Sequence, residues 1–358
     1  MKKIDWYIIK RFLGTFFFAI FLILVIVIIF DISEKIDDFL ESEAPIEKII
    51  TDYYLNFIPF FANLFSPLFV FISVIFFTSK MANNTEIIAI LNSGMSFWRL
   101  ILPYVFTSIF LATSSFILGN FIIPPSNKIR IDFENKYIKN KFRFKGKNIH
   151  IQLQKGQYAY MESYNSTKDI GYKFSLENIK DGRLLSKLNA NHIRWDSTSG
   201  KWHVSKWNIR EFSNDNELLS SGEKLDTLIN LKPSDFKTRL SKVETMNYFE
   251  LNDYIREEEI KGTANIVYHK IEKHKRMAFP FASIVLTIIG FAIASRKIRG
   301  GVGVHLGAGL LISFSYILFM QISTTYATNG NLSPALAVWL PNILYLLLAI
   351  YLTYKAPK

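Results

Sequence analysis

The run Phe12-Leu-Gly-Thr-Phe-Phe-Phe-Ala-Ile-Phe-Leu-Ile-Leu-Val-Ile-Val-Ile-Ile-Phe30 decides the architecture. It holds 19 residues without a charge, and at about 1.5 Å per helical residue it reaches across the ~30 Å hydrocarbon core of a bilayer. A signal-peptide core is shorter, and the Asp31-Ile-Ser-Glu34 that follows is no small-residue cleavage site. The run therefore reads as a retained anchor. Working outward, further apolar stretches lie at Tyr53–Thr78, Leu100–Ile123, Met277–Ala294, Val302–Ile322 and Leu336–Leu352. They predict six helices in two groups of three. Pro59, Pro67 and Pro103 fall in or at the ends of these stretches, which a bilayer tolerates where neighbouring helices satisfy the freed carbonyls.

Composition agrees with that reading. Half of the 358 residues are apolar and the mean hydropathy is +0.18, which excludes a purely soluble enzyme. There is no cysteine, so disulfides, thiolate metal sites and cysteine nucleophiles are excluded. The net charge of +12 favours anionic lipid over nucleic acid as a partner in a membrane chain. Orientation follows from the short loops. With the N-terminus inside, Lys2, Lys3, Lys10, Arg11, Lys80, Arg99, Arg296, Lys297, Arg299, Lys355 and Lys358 are cytoplasmic, against Lys35 and Lys48 outside. The long 125–276 segment is basic too, but long domains translocate largely regardless of charge. It is therefore predicted to be external and periplasmic.

That segment reads as β. Ile149–Leu153, Gln157–Tyr164, Tyr172–Ile179, His192–Trp195 and Trp202–Ile209 are rich in aromatic or branched residues, with turn signals at Lys180-Asp-Gly182 and Asp196-Ser-Thr-Ser-Gly200 between them. Short strands at this spacing predict a sandwich, jelly roll or open barrel. Tyr158, Tyr160, Trp195, Trp202 and Trp207 are core candidates that would alternatively line a groove for acyl chains. From Asn247 the pattern turns helical, with Tyr248, Leu251, Tyr254 and Ile255 on one stripe.

The motifs for chemistry are missing. No G-x-x-x-x-G-K-[ST] occurs, so nucleotide would be hydrolysed by a partner. The six histidines show no H-E-x-x-H spacing, and no G-x-S-x-G elbow is present. The chain reads as a non-enzyme without cofactor or metal. Its informative segment is the connection 79–96. Thr85 or Asn84 can cap a helix, Glu86 suits its first turn, Ile87, Ile88, Ile90 and Leu91 form an apolar stripe, and Gly94 supplies a left-handed stop. Such a helix either lies on the membrane or docks in a groove of a cytoplasmic motor, with Glu86 pairing to a base there.

Thr85-Glu-Ile-Ile-Ala-Ile-Leu-Asn-Ser-Gly-Met-Ser96 resembles the coupling helix of the LptF/LptG permeases of the lipopolysaccharide-export ABC transporter. His274-Lys-Arg-Met-Ala-Phe-Pro280, Arg296-Lys-Ile-Arg-Gly-Gly-Val-Gly303 and Leu332-Ser-Pro-Ala-Leu-Ala-Val-Trp-Leu-Pro-Asn342 are similar to further segments of that family. The resemblance implies an α-helical membrane protein of six spans (3+3) with an inserted all-β, jellyroll-like periplasmic domain. Its segments would be 1–124 with the coupling helix at 79–96, the β domain at 125–246, a helical connector at 247–276, and spans four to six at 277–358. It also implies a permease subunit in the inner membrane of a Gram-negative bacterium, extracting lipopolysaccharide and passing it to a periplasmic bridge. The implied partners are an LptB-like ATPase dimer, a paralogous permease and an LptC-like bitopic protein. The rival readings are a permease of another lipid or lipoprotein exporter, and a non-transporting sensor or scaffold.

Candidate site residues follow. ATPase coupling falls to Glu86, Ile87, Ile90, Leu91, Ser93 and Gly94. Cations near the outer ends of the spans suit a phosphorylated head group: Lys35, Lys128, Arg130, Lys273, Lys275 and Arg276. Gly303 and Gly307, spaced G-x-x-x-G, allow close helix approach, either to a partner permease at a gate or within the chain.

Overall fold

The computed structural model describes residues 3–138, 147–166, 168–213, 216–227, 229–233, 240–262, 265–298, 300–330 and 332–356. Lys2, Arg299 and Lys358, counted above for orientation, lie outside them. The chain divides into a helical unit, Met1–Ile138 with Glu244–Tyr248 and Val267–Lys358, and a second unit, Lys139–Val243 with Phe249–Ile266.

In the helical unit the long helices are α1 (Lys3–Glu41), α2 (Ile46–Asn83), α4 (Phe97–Tyr137), α6 (Ile266–Ala294), α7 (Gly301–Thr328) and α8 (Pro334–Tyr354), with the short α3 (Glu86–Asn92) between α2 and α4. All six long helices are long and apolar enough to cross a membrane. Several outrun their apolar stretches. The 39 residues of α1 rise about 58 Å, nearly twice a hydrocarbon core. Two helical ends are thus distinguished: the termini end, where α1 starts and α8 stops, and the insertion end, from which the β segment departs.

The core of this unit is built from narrow stripes. Ile8, Phe12, Phe16 and Ile20 of α1 recur every four residues and are buried against Val70, Val74, Phe77 and Met81 of α2 and Leu100, Ile101 and Tyr104 of α4. Most of the remaining α1 surface is apolar and uncovered, as in Phe17, Phe18, Phe21 and Phe30. In lipid those faces cost nothing, so close packing and interhelical hydrogen bonds hold the helices together. Phe77 stacks on Tyr104 at 5.3 Å between ring centres, and Thr78 donates to the Tyr104 hydroxyl at 3.2 Å. Asn342 of α8 donates to the Ala278 carbonyl of α6 at 3.0 Å and accepts from Tyr316 of α7 at 3.0 Å, joining three helices through one buried amide.

Near the insertion end, α2 and α4 each contain a π-helical segment, Ile49–Tyr54 and Leu118–Ile122. The wider turn loosens the carbonyl ladder, and amide side chains take it up. Asn56 donates to the Thr51 and Asp52 carbonyls at 2.9 and 3.1 Å, and Asn120 donates to the Phe116 carbonyl at 2.9 Å.

The second unit carries a six-stranded antiparallel sheet: β1 (Lys147–Gln154), β2 (Gln157–Asn165), β3 (Ile170–Lys180), β4 (Arg183–Asp196), β5 (Lys201–Ser213) and β6 (Asn216–Thr227). The strand order is sequential, so this all-β insertion is a meander rather than a pair of Greek keys. Asp181 and Gly182 both have positive φ, 49° and 77°, as the two-residue β3–β4 turn between Lys180 and Arg183 requires. One face carries the core, with Ala159, Met161, Phe174, Leu188, Ala190, Ile193, Trp202 and Val204 among its residues. The alternation resets partway along. Lys173, Asn191 and Lys206 drop out of the β3–β4 and β4–β5 registers, and Lys173 and Lys206 adopt positive φ of 49°. This places Trp202 and Val204 before the reset, and Trp207 and Ile209 after it, on the same core. Of the five aromatics considered for a groove, Trp202 is fully buried and donates to the Leu231 carbonyl at 2.8 Å. Trp195 and Trp207 pack against the same core, while Tyr158 is exposed on the opposite face. The helix α5 (Tyr248–Lys261) follows, with Leu251 and Ile255 buried.

Candidate functional site

At the termini end, α2 stops at Asn83 and the chain turns through Thr85 in a left-handed conformation, φ 62°. No side-chain cap forms here: the Thr85 hydroxyl donates to the Asn84 carbonyl at 2.6 Å, which corrects the expected capping role. Asn84 instead donates from its amide to Glu86 Oε1 at 3.2 Å. The seven residues of α3 end at Asn92, and Gly94 follows at φ 89°. Ile87 is 1% exposed and belongs to the core with Ile8, Phe12 and Met81, against which Ile90 and Leu91 also pack. The face assigned to docking is thus divided. Ile87 is an anchor within the chain and has no surface to offer a partner, whereas Ile88 is 45% exposed. Glu86 opens this helix and the exposed Ser93 follows its last residue, where its hydroxyl donates to the Ile90 carbonyl at 2.7 Å.

The first turn of α1 is tied to this region twice. Tyr7 donates its hydroxyl to Glu86 Oε2 at 2.9 Å. Arg99, in the first turn of α4, clasps the buried Asp5 with two hydrogen bonds of 2.8 and 2.6 Å, the fork geometry that suits guanidinium to carboxylate. Ser96 caps α4 by accepting from the Arg99 amide at 3.2 Å. A shallow groove of about 440 Å³ runs beside Glu86, lined by Lys3, Ile4, Tyr7, Ala89 and Ile90. Neither Tyr7 nor Asp5 was singled out from sequence, because their partners lie 79 and 94 residues away.

At the insertion end the six cations separate into two sets. Lys35 bonds Asp31 at 2.7 Å and also contacts the Tyr53 hydroxyl; Tyr53 and Tyr54 donate to the same carboxylate at 3.1 and 3.2 Å. Arg130 pairs with Glu134 at 3.0 Å and lies over the Phe60 ring. The Arg276 side chain is only 7% exposed and donates to Glu272 at 3.1 Å and to the Met246 carbonyl at 2.6 Å. These three are committed within the chain. Lys128 is exposed, Lys273 and Lys275 are half-buried, and none of them has an ion pair among the described residues. Nearby Glu244 is half-buried; desolvation, then the neighbouring Glu272 charge, lift its carboxyl above the ordinary value.

The G-x-x-x-G glycines are open. A Cβ added to Gly303 or Gly307 would meet nothing within 4 Å, so the in-chain packing considered for them does not occur. Close approach falls instead on Gly309, against Ile75, and on Gly290, against Phe71 and Val74. Among the described residues no three His, Asp or Glu side chains gather as a metal-ion site.

Comparisons with known proteins agree with this arrangement. The family model described as lipopolysaccharide export system permease LptF/LptG matches residues 6–355. An uncharacterized protein of Aquifex aeolicus (strain VF5) is 27% identical over 185 residues, covering 51% of this chain and 48% of the relative. The chain thus spans about half the length of that relative. Six helices long and apolar enough to cross a membrane, an antiparallel β insertion and a family match over nearly every residue make this multipass membrane protein a member of the LptF/LptG permease family.

Proposed function

We propose that this chain is the permease subunit of an ATP-driven exporter that lifts lipopolysaccharide out of the inner membrane and passes it to a periplasmic bridge. In this reading the termini end is cytoplasmic, the β unit is periplasmic, and ATP is hydrolysed by a separate LptB-like dimer. A paralogous permease completes the membrane cavity, with the open face of Gly303 and Gly307 at that seam, and an LptC-like bitopic protein joins the bridge.

The observation that carries the reading is the double tie from the α3 region to α1. Glu86 holds Tyr7, and Arg99 at the next helix start holds Asp5. A motor that grips Glu86 and the exposed Ile88 therefore pulls on the foot of the first span rather than on a free loop. α1 packs through the Ile8–Ile20 stripe at its foot and through Phe39 with the Asp31–Tyr53 and Asp31–Tyr54 bonds at its far end, so a tug at the foot is carried along the span to that second contact. Lys128 and Lys273, without an ion pair among the described residues at the insertion end, are placed to meet lipid phosphates there; Lys35 would have to leave Asp31 to join them.

The test is Glu86→Lys in the full complex. It should abolish retention of the ATPase or uncouple its turnover from lipid export, while the chain still inserts and pairs with the second permease. Normal assembly together with normal export would refute the docking role.

A further inference from the structure

A cavity of about 250 Å³ opens within the helical unit between α2, α4 and α6, near the insertion end. Its walls include Leu64, Phe279 and Pro280, and its polar rim carries Glu244, Glu272, Lys275 and Arg276. Two of those four charges cancel: Arg276 is bonded to Glu272. The other two do not. Lys275 and the Glu244 carboxylate line the same space, yet neither forms an ion pair or a side-chain hydrogen bond among the described residues; Arg130 and Arg276 act on Glu244 only through their fields, and desolvation and the Glu272 charge outweigh them. An unpaired ammonium and an unpaired carboxylate on one partly desolvated rim are each costly. A single ligand carrying both signs a few ångströms apart would relieve both.

We propose that this cavity binds the head group of a zwitterionic phospholipid of the phosphoethanolamine class, its phosphate on Lys275 and its primary ammonium on Glu244. The apolar walls take the glycerol end and the first carbons of the acyl chains. The volume lies below the ~300–1,000 Å³ usual for drug-sized ligands, so the tails remain in the surrounding lipid. A primary ammonium donates hydrogen bonds to a carboxylate, which a quaternary choline cannot do; choline is held by aromatic cages instead. A lipid with phosphate as its only charge would leave Glu244 facing an anion. The site stands on α2, α4 and α6 together with Glu244 of the short turn Leu240–Thr245 and is independent of the export reading given above.

Native mass spectrometry of the full chain in detergent tests this, using ethanolamine, glycerol and choline phospholipids with identical acyl chains. The wild type should retain the ethanolamine lipid in preference to the other two. Glu244→Gln should lower that adduct by about tenfold, the worth of one charge-assisted hydrogen bond, and leave the glycerol lipid unchanged. Lys275→Gln should weaken both, whereas Lys275→Arg, a control for folding, should keep both. Glycerol lipid bound as well as ethanolamine lipid, or a Glu244→Gln chain that keeps its preference, would overturn the proposal. Displacement of the ethanolamine lipid by added lipid A would overturn it too, since it would make the cavity part of the export path.

Discussion

The two neighbouring isoleucines of α3 separate fold from function, and replacing each by alanine measures the division. Ile87 is 1% exposed and sits in the cluster formed by α1, α2 and α4. Removing three carbons forfeits about 2.5 kcal/mol at ~0.8 kcal/mol per carbon, and incomplete collapse of the space brings the cost to about 3 kcal/mol. Ile88, 45% exposed, loses within ~0.5 kcal/mol. Because α3 is a single short element, this cost appears as local opening. Amide hydrogen exchange of the segment 86–94 in the full chain is the assay. At about 1.4 kcal/mol per factor of ten, Ile87→Ala should accelerate exchange about 100-fold and Ile88→Ala less than about threefold. Retention of the ATPase should follow the opposite pattern per unit of lost stability, with Ile88→Ala weakening it while protection stays intact. Equal exchange in the two variants, or faster exchange in Ile88→Ala, would refute the assignment of Ile87 to the core.

Three further outcomes are expected. Trp202→Phe leaves the buried Leu231 carbonyl without its donor and should cost about 1–3 kcal/mol, read as reduced thermal stability of the β unit in the full chain. Gly290→Ala forces a carbon to within 3.0 Å of the Phe71 ring and 3.2 Å of Val74. That overpacking costs about 1–3 kcal/mol, only partly offset by ~1 kcal/mol of helix preference, so the detergent melting temperature should fall. Gly303→Ala and Gly307→Ala, which meet nothing, should leave it unchanged or higher. His203 lies between Asp226 and Asp196 on β5, and its hydrogen bond to Asp226 raises its protonation range. A raised folded-state value means that its contribution is full below the ordinary imidazole value of ~6.5 and is lost as pH climbs through the raised one. Melting of the β unit should therefore weaken with rising pH across that window, and His203→Gln should flatten the profile.

Much of the helical frame was legible because a membrane span must hide its own backbone polar groups and can expose only apolar side chains, which writes its length into the sequence. Strands β1, β2, β3 and β5 were legible from branched and aromatic runs between turns, but of β4 (Arg183–Asp196) only the last part, His192–Trp195, was. Strand β6, Asn216-Glu-Leu-Leu-Ser-Ser-Gly-Glu-Lys-Leu-Asp-Thr227, was not, because it is largely exposed and shows no apolar alternation. The imperfect pattern of Trp202–Ile209 is explained by the reset at Lys206, where one residue leaves the register and the following side chains keep to the same face.

The candidate site divides in the same way. Gly94 and the amphipathic character of α3 could be read locally, since one turn of helix and one left-handed residue are set by neighbours in sequence. Which isoleucine faces inward could not, because that depends on where Ile8, Phe12 and Met81 arrive. The cations at the insertion end looked equivalent as letters; burial and the positions of Asp31, Glu134 and Glu272 separated the committed ones from the free. The sequence by itself determined six spans, a β insertion and the family, since hydropathy and local turn chemistry are properties of contiguous residues. Only the tertiary structure decided that Asp5 meets Arg99, that Tyr7 meets Glu86, and that Lys275 and Glu244 line one cavity, because an electrostatic pairing depends on distance in space and not on separation along the chain.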